Sequence, residues 1–303
     1  MKNTFSIQDD FVNSRLDRWF RRNVSDVPQS LIEKNLRKGN IKVNNKKEKS
    51  SYKLRLNDLV IIKNINFMKD NIKEVKKNYI PTKKDLSLSS DLFIENNENF
   101  VVINKPAGIS VQSGTKSKKN IIDILRNTKE FDGHSPYTVH RIDKETTGIL
   151  IVAKNRKYAQ LFTSLFRIRK IHKTYLGIVV GQLQKNKGTF KDELIYFENE
   201  KKIKSVGITH YTVLDSNNNY SLLKLNPETG KKHQLRKQLL IHGNPILGDK
   251  KYTMLRNLPN KRNNLMLHAY KINFSIAGTK YNFSADPPLS FINTLKEKYL
   301  KNF

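Results

Sequence analysis

HRIDKETTGILIVAKN, residues 140–155, decides how the rest of the chain is read. The polar segment His140-Arg141-Ile142-Asp143-Lys144-Glu145-Thr146-Thr147-Gly148 runs straight into the apolar stretch GILIVA, residues 148–153. A short apolar run bounded by turn-forming residues predicts a buried strand. Loops at strand ends, held by a rigid sheet, are where catalytic groups usually lie. Asp143 stands between Arg141 and Lys144, and neighbouring cations favour the ionised form of a carboxylate. An ionised carboxylate in a cleft serves as a nucleophile or a base. On its own the segment also fits a surface turn with local ion pairs, which contribute little.

Working outward, residues 91–303 alternate strands, turns and helices and predict an α+β domain. FVVIN (100–104) is a strand that breaks at Lys105-Pro106-Ala107-Gly108. RKYAQLFTSLFRIR (156–169) is a helix with a basic end, and KTYLGIVV (173–180) is a strand. YSLLKLNPETG (220–230) is a strand and turn, and KHQLRKQLLIHG (232–243) is a helix closing at Gly243. LMLHAYKINFSI (265–276) is a strand run, and SFINTLKEKYL (290–300) a terminal helix. Residues 1–64 form a separate basic module with 15 basic and 7 acidic residues. Leu16, Trp19 and Phe20 mark one helix face, and Leu31, Ile32 and Leu36 a second helix that stops at Gly39. Hairpin-like strands follow. Residues 65–90, Lys-rich and ending in Ser, read as a basic linker.

The whole chain of 303 residues carries 57 Lys+Arg against 27 Asp+Glu, a formal charge of +30. Such a field attracts polyanions, of which nucleic-acid backbones are the commonest. Part of the excess Lys also fits the Lys-, Asn- and Ile-rich usage of an AT-rich genome. There is no apolar run near the roughly 18 residues of a spanning helix, and the N-terminus has no signal core. With no cysteines there are no disulfides or thiolate metal sites. These features predict a soluble cytoplasmic protein. No His pattern has metal-ligand spacing, and neither a recognition helix nor a zinc module for DNA is legible.

HRIDKETTGILIVAKN resembles the His-Arg-Leu-Asp-Lys-x-Thr-Ser-Gly signature of the RluA/RluC/RluD family of pseudouridine synthases, with Ile142 for Leu and Thr147 for Ser. Three further blocks agree in order: INKPAGISVQSG (103–114), KTYLGIVVG (173–181) and TGKKHQLRKQLLIHGNPILGDKKY (229–252). The resemblance implies an α+β synthase fold, a long mixed or antiparallel sheet with flanking helices and a cleft across its middle. It implies that Asp143 is the catalytic aspartate, that Tyr175 packs on the target base and is the candidate for taking the C5 proton, and that Arg236 pairs with the aspartate. Isomerising uridine leaves bond order and redox state unchanged, so no metal or other cofactor is required. Lys105 and Pro106 shape a turn; Lys105, His140, Arg141, Lys231, His233 and Gln234 are the candidate RNA contacts. Lys231 stands where the family usually has Arg, and Gln238 where it often has His, which implies altered RNA contacts rather than lost chemistry.

The N-terminal module is similar to a small α/β S4 RNA-binding domain through SRLDRWF (14–20), SLIEKNLRKGNIKVNN (30–45) and LRLNDLVII (54–62). Its candidate RNA-binding residues are Arg15, Arg18, Arg22 and Lys38. VQSGTKSKKNIIDIL (111–125) and LFRIRKIHKTY (165–175) resemble the RluC-type branch, whose substrate is bacterial 23S ribosomal RNA. The expected partner is thus large-subunit ribosomal RNA or its precursor, with no membrane or DNA partner and a monomeric chain. Another branch acting on other ribosomal or transfer RNA uridines, or a non-catalytic S4-type assembly protein, are the alternatives. A degenerate relative would be free to lose Asp143, Tyr175 or Arg236, and all three are present.

Overall fold

A computed structural model describes residues 2–25, 27–63, 81–82, 92–113, 119–198, 201–253, 264–301 and 303. They fall into two compact units, Met1–Asn78 and Tyr79–Phe303. The basic linker expected over 65–90 lies outside the described residues, apart from Pro81 and Thr82.

The first unit contains β1 (Lys2–Ser6), α1 (Leu16–Asn23), α2 (Gln29–Lys38), β2 (Ile41–Val43) and β3 (Leu59–Lys63). The strands form an antiparallel sheet of order β1-β3-β2. Leu16, Trp19 and Phe20 on α1 and Ile32 and Leu36 on α2 pack with Ile7, Leu54, Val60 and Ile62. Full burial of each such side chain stabilises by about 1.5–3 kcal/mol. Gly39 closes α2 in the left-handed conformation, φ 74. Asn57 stands at φ 62 in the turn before β3, a conformation that Asn tolerates better than most residues. Asp58 fastens that turn by accepting from Asn44 Nδ2 (2.8 Å) and from the Arg55 N–H (2.8 Å). β1 carries no sequence signal, because KNTFS mixes polar and apolar residues without a strand period.

The second unit is the mixed sheet with flanking helices that the family resemblance implies. Its strands are β4 (Phe93–Asn96), β5 (Phe100–Lys105), β6 (Tyr137–Thr138), β7 (Thr147–Ala153), β8 (His172–Val180), β9 (Lys187–Glu198), β10 (Lys201–Ser216), β11 (Tyr220–Pro227), β12 (Leu267–Ile276) and β13 (Thr279–Ser284). Its helices are α3 (Ile121–Leu125), α4 (Arg156–Arg167), α5 (Gln234–Ile241) and α6 (Leu289–Glu297). The sheet order is β4-β5-β7-β12-β8-β11-β10-β9, with β13 beside β12 and β6 beside β7.

β7 and β12 pair in parallel through His268–Thr147 and Ala269–Gly148. Gly148 makes this possible: at φ +104 a Cβ would stand 2.3 Å from the Ala269 carbonyl oxygen. β7 is buried along its whole length, as its apolar run predicts. Asn155 then caps α4 by accepting the Tyr158 N–H at 2.9 Å. α4 sends Phe162 against Phe100 and Phe274, at ring separations of 5.2 and 5.3 Å.

The long hairpin β9–β10 has no counterpart among the elements read from sequence. Its inward residues, such as Phe190 and Leu194, are separated by charged ones. β12 lies between β7 and β8, so the loop entering β7 and the side chains of β8 meet near the middle of the sheet.

Candidate active site

Asp143 sits in the loop between β6 and β7. Its neighbours alternate: Arg141 and Lys144 are exposed, whereas Ile142 is buried with Val101, Ile103, Leu150 and Val152. The buried isoleucine anchors the loop, and the carboxylate is left facing a cleft of about 750 Å³. Tyr175 and Lys173 from β8, Phe166 from α4, and the Lys231–Arg236 segment line the same cleft.

Arg236, on α5, divides its guanidinium between two acids. Nε and Nη2 donate to Asp249 at 2.7 and 2.8 Å, and Nη1 donates to Asp143 Oδ2 at 2.9 Å. Only a planar fork can make both sets of bonds. Asp249 also accepts the N–H groups of Lys251 and Tyr252, both at 2.9 Å. Burial opposes the charge on Arg236, but the hydrogen bonds to Asp249 and Asp143 outweigh it and hold its pKa above the ordinary value. Burial likewise works to raise the Asp249 pKa. Arg236 and the two backbone N–H groups overcome it and keep the carboxyl below its usual range.

His233 precedes α5 in the left-handed conformation, φ 54 and ψ 33. Its Nδ1 is 2.8 Å from the Tyr252 hydroxyl, and its Nε2 is 3.7 Å from Asp143 Oδ1. Burial lowers its pKa first, against the raising effect of Asp143. The Tyr252 ring also lies under Arg236, 5.0 Å from the guanidinium carbon. Asp143 therefore has one oxygen tied to Arg236 and the other near His233. Tyr175 packs against the core behind Asp143. Burial, and then the Asp143 charge, raise its phenol pKa, so the hydroxyl stays protonated at neutral pH.

Asp143, Tyr175, Arg236, His140, Arg141, Lys231, His233 and Gln234 thus all line one cleft. Several residues expected to touch RNA have their polar groups engaged within the protein. Lys105 is 0 % exposed. Its Nζ donates to the carbonyls of Pro106 (2.7 Å), Ile109 (3.0 Å) and Lys144 (3.1 Å), tying the 105–109 turn to the Asp143 loop. Burial pushes its pKa down to about 7, while three carbonyl acceptors match the three N–H groups of the charged form. Lys105 therefore positions the loop and, as placed, does not face RNA.

Gln234 is buried and bonded to Thr229, Thr209, the Ile208 carbonyl and the Lys231 N–H. Gln238, expected to alter RNA contacts, is instead 0 % exposed. It joins α5 to β9 and β10 through Thr209, Asp192 and Gly207. His140 Nε2 accepts the Ile151 N–H at 2.8 Å and its ring packs on Phe166. Burial, aided by Lys173, lowers its pKa to about 3, so its role here is to hold the loop against β7 as a neutral ring. In the N-terminal unit, Arg18, Arg22 and Lys38 are exposed, whereas Arg15 is paired with Asp17 at 2.7 Å. Asp249 and Tyr252 were not singled out by the sequence. They lie inside the 229–252 block, but only folding brings them to Arg236 and His233.

Residues 99–240 match the RNA pseudouridylate synthase family. The chain is 32% identical over 311 residues to ribosomal large subunit pseudouridine synthase C of Buchnera aphidicola subsp. Baizongia pistaciae, covering 96% of this chain and 97% of that protein. It is also 32% identical over 302 residues to the protein of the same name from Rickettsia felis, covering 94% and 97%. Among solved structures it is similar to human RNA pseudouridylate synthase domain containing 4. The TM-score there is 0.62 at 26% identity, over 72% of this chain and 98% of that one. The chain belongs to the RNA pseudouridylate synthase family.

Proposed function

We propose that this protein isomerises particular uridines of large-subunit ribosomal RNA to pseudouridine, using the Asp143 carboxylate. The observation that carries the reading is that carboxylate, held by Arg236 at 2.9 Å in a cleft that Tyr175 also lines. A cleft of about 750 Å³ falls within the roughly 300–1,000 Å³ of small-ligand sites, enough to admit a nucleoside. Asp143 holds the sugar as a covalent ester, or deprotonates it, while the N1–C1′ bond is broken. The uracil turns and C5 joins C1′, after which the C5 proton is lost and N1 takes one up. The Tyr175 ring keeps the free base in place. Its hydroxyl, being protonated, takes the C5 proton only by passing its own proton on.

The target base has to leave its stack, which costs a few kcal/mol, and phosphate contacts offset that cost. Arg141, Arg167, Arg169, Lys231 and Lys232 at the cleft supply cations for them. The N-terminal unit supplies more through Arg18, Arg22 and Lys38, as an S4-like RNA-binding domain. The names of the relatives support large-subunit ribosomal RNA as the substrate.

The test is to map pseudouridines in ribosomal RNA from a strain lacking this gene. Specific large-subunit positions should revert to uridine and be restored by the wild-type gene but not by Asp143→Asn. An unchanged large-subunit map would overturn the substrate assignment.

A further inference from the structure

Lys173 and Tyr175 are two residues apart on β8, so their side chains leave the same face of the strand. Both line the cleft that contains Asp143. Among the described residues, two carboxylates line this cleft and both are engaged, Asp143 with Arg236 at 2.9 Å and Glu228 with Arg169 at 2.6 Å. Among the same residues Lys173 has no ion-pair partner. Its ammonium is desolvated by burial, with no described anion offsetting that effect. The titratable ring it acts on, His140, is neutral. Gly230 lines the same cleft beside Lys173, and a Cβ there would stand 3.8 Å from the Lys173 nitrogen, an ordinary van der Waals contact.

A part-buried cation without a counter-charge is unfavourable in the free protein. Uncompensated charges of this kind, sitting in clefts, mark functional sites. We propose that Lys173 is an anion-binding residue of the active site, whose ammonium receives a negatively charged oxygen of the target nucleotide. The inference rests on the pseudouridine synthase reading and deepens it.

Two parts of that nucleotide have the required chemistry. One is the phosphate flanking the target uridine. The other is uracil itself: breaking N1–C1′ leaves the bonding pair on the base, where O2 and O4 share the charge. C1′ takes up the Asp143 oxygen and releases it when C5 rejoins the sugar; the C5 proton then leaves and N1 gains one, so electrons and atoms balance.

The experiment compares wild type, Lys173→Met and Lys173→Arg on a transcript of large-subunit ribosomal RNA. Affinity is measured against salt, and single-turnover conversion at saturating RNA. Met keeps the stem and removes the charge; should it fail to fold, Lys173→Gln is read in its place. The melting midpoint of Lys173→Met should be unchanged or raised, because an uncompensated charge has been removed. If the phosphate is the ligand, affinity weakens at least tenfold, the salt slope falls by about 1, and the saturated rate is kept. If the base is the ligand, affinity is kept and the saturated rate falls by about 10²–10³-fold. In either case Arg restores most of the loss. A Lys173→Met protein with wild-type affinity and rate overturns the inference, as does a loss that tracks a lowered melting midpoint. Absence of conversion by the wild type would instead strike the functional reading beneath it.

Discussion

Around Asp143 each side chain has a separate task. Ile142 buries itself and fixes the loop, Arg236 holds one carboxylate oxygen, and His233 stands 3.7 Å from the other. Arg236→Lys keeps a positive charge but cannot bond Asp249 twice and still reach Asp143. Single-turnover kinetics should show conversion reduced by about 10²-fold, the scale expected of a small misplacement; wild-type turnover would rule out the divided fork. Tyr175→Phe keeps the ring and removes the hydroxyl. RNA affinity should be preserved while conversion drops by about 10²–10⁴-fold, the range of a lost proton-transfer group. Full turnover in that variant would confine Tyr175 to packing.

At the scale of elements, the site depends on joining α5 to the turn at 249–252. Asp249 is the joint, and its removal leaves the buried Arg236 guanidinium half-paired. Asp249→Ala should lower unfolding stability by about 3–5 kcal/mol in denaturant titrations. A change under about 1 kcal/mol would show the pair to be dispensable, since that is the scale of exposed ion pairs.

The pH dependence has a definite sign. The folded Asp249 pKa lies below its unfolded value of about 3.9. Its stabilisation is therefore complete above that value and is lost as pH falls through the folded pKa. Asp249→Asn should lose stability at neutral pH and show a shallower acid limb below about pH 4.

β7 was legible because its apolar run is unbroken, and β8 because an apolar run over 176–180 follows its polar start. β9 and β10 were not, because a strand with one wet face and many lysines carries little apolar signal. Asp143, Tyr175 and Arg236 were legible through motif resemblance. The part played by Asp249 was not, because it depends on a guanidinium 13 residues away being brought beside it. Lys105 read as an RNA contact, and Gln238 as altering one, because sequence does not reveal burial. In the fold their polar atoms are satisfied by backbone and side chains.

Over the whole molecule, a formal charge of +30 is set against a polyanionic substrate. Removing residues 1–64 should weaken RNA binding and flatten its dependence on salt, because each lost phosphate contact lowers the slope by about 1. An unchanged slope would exclude that unit from RNA binding. Both units bind in this account, but the chemistry belongs to one carboxylate. The most direct measurement is therefore pseudouridine formation by wild type and Asp143→Asn on the same large-subunit ribosomal RNA transcript, with binding followed in parallel. The account predicts conversion by the wild type, none by the variant, and equal RNA affinity for both. Conversion by Asp143→Asn at the wild-type rate would contradict it.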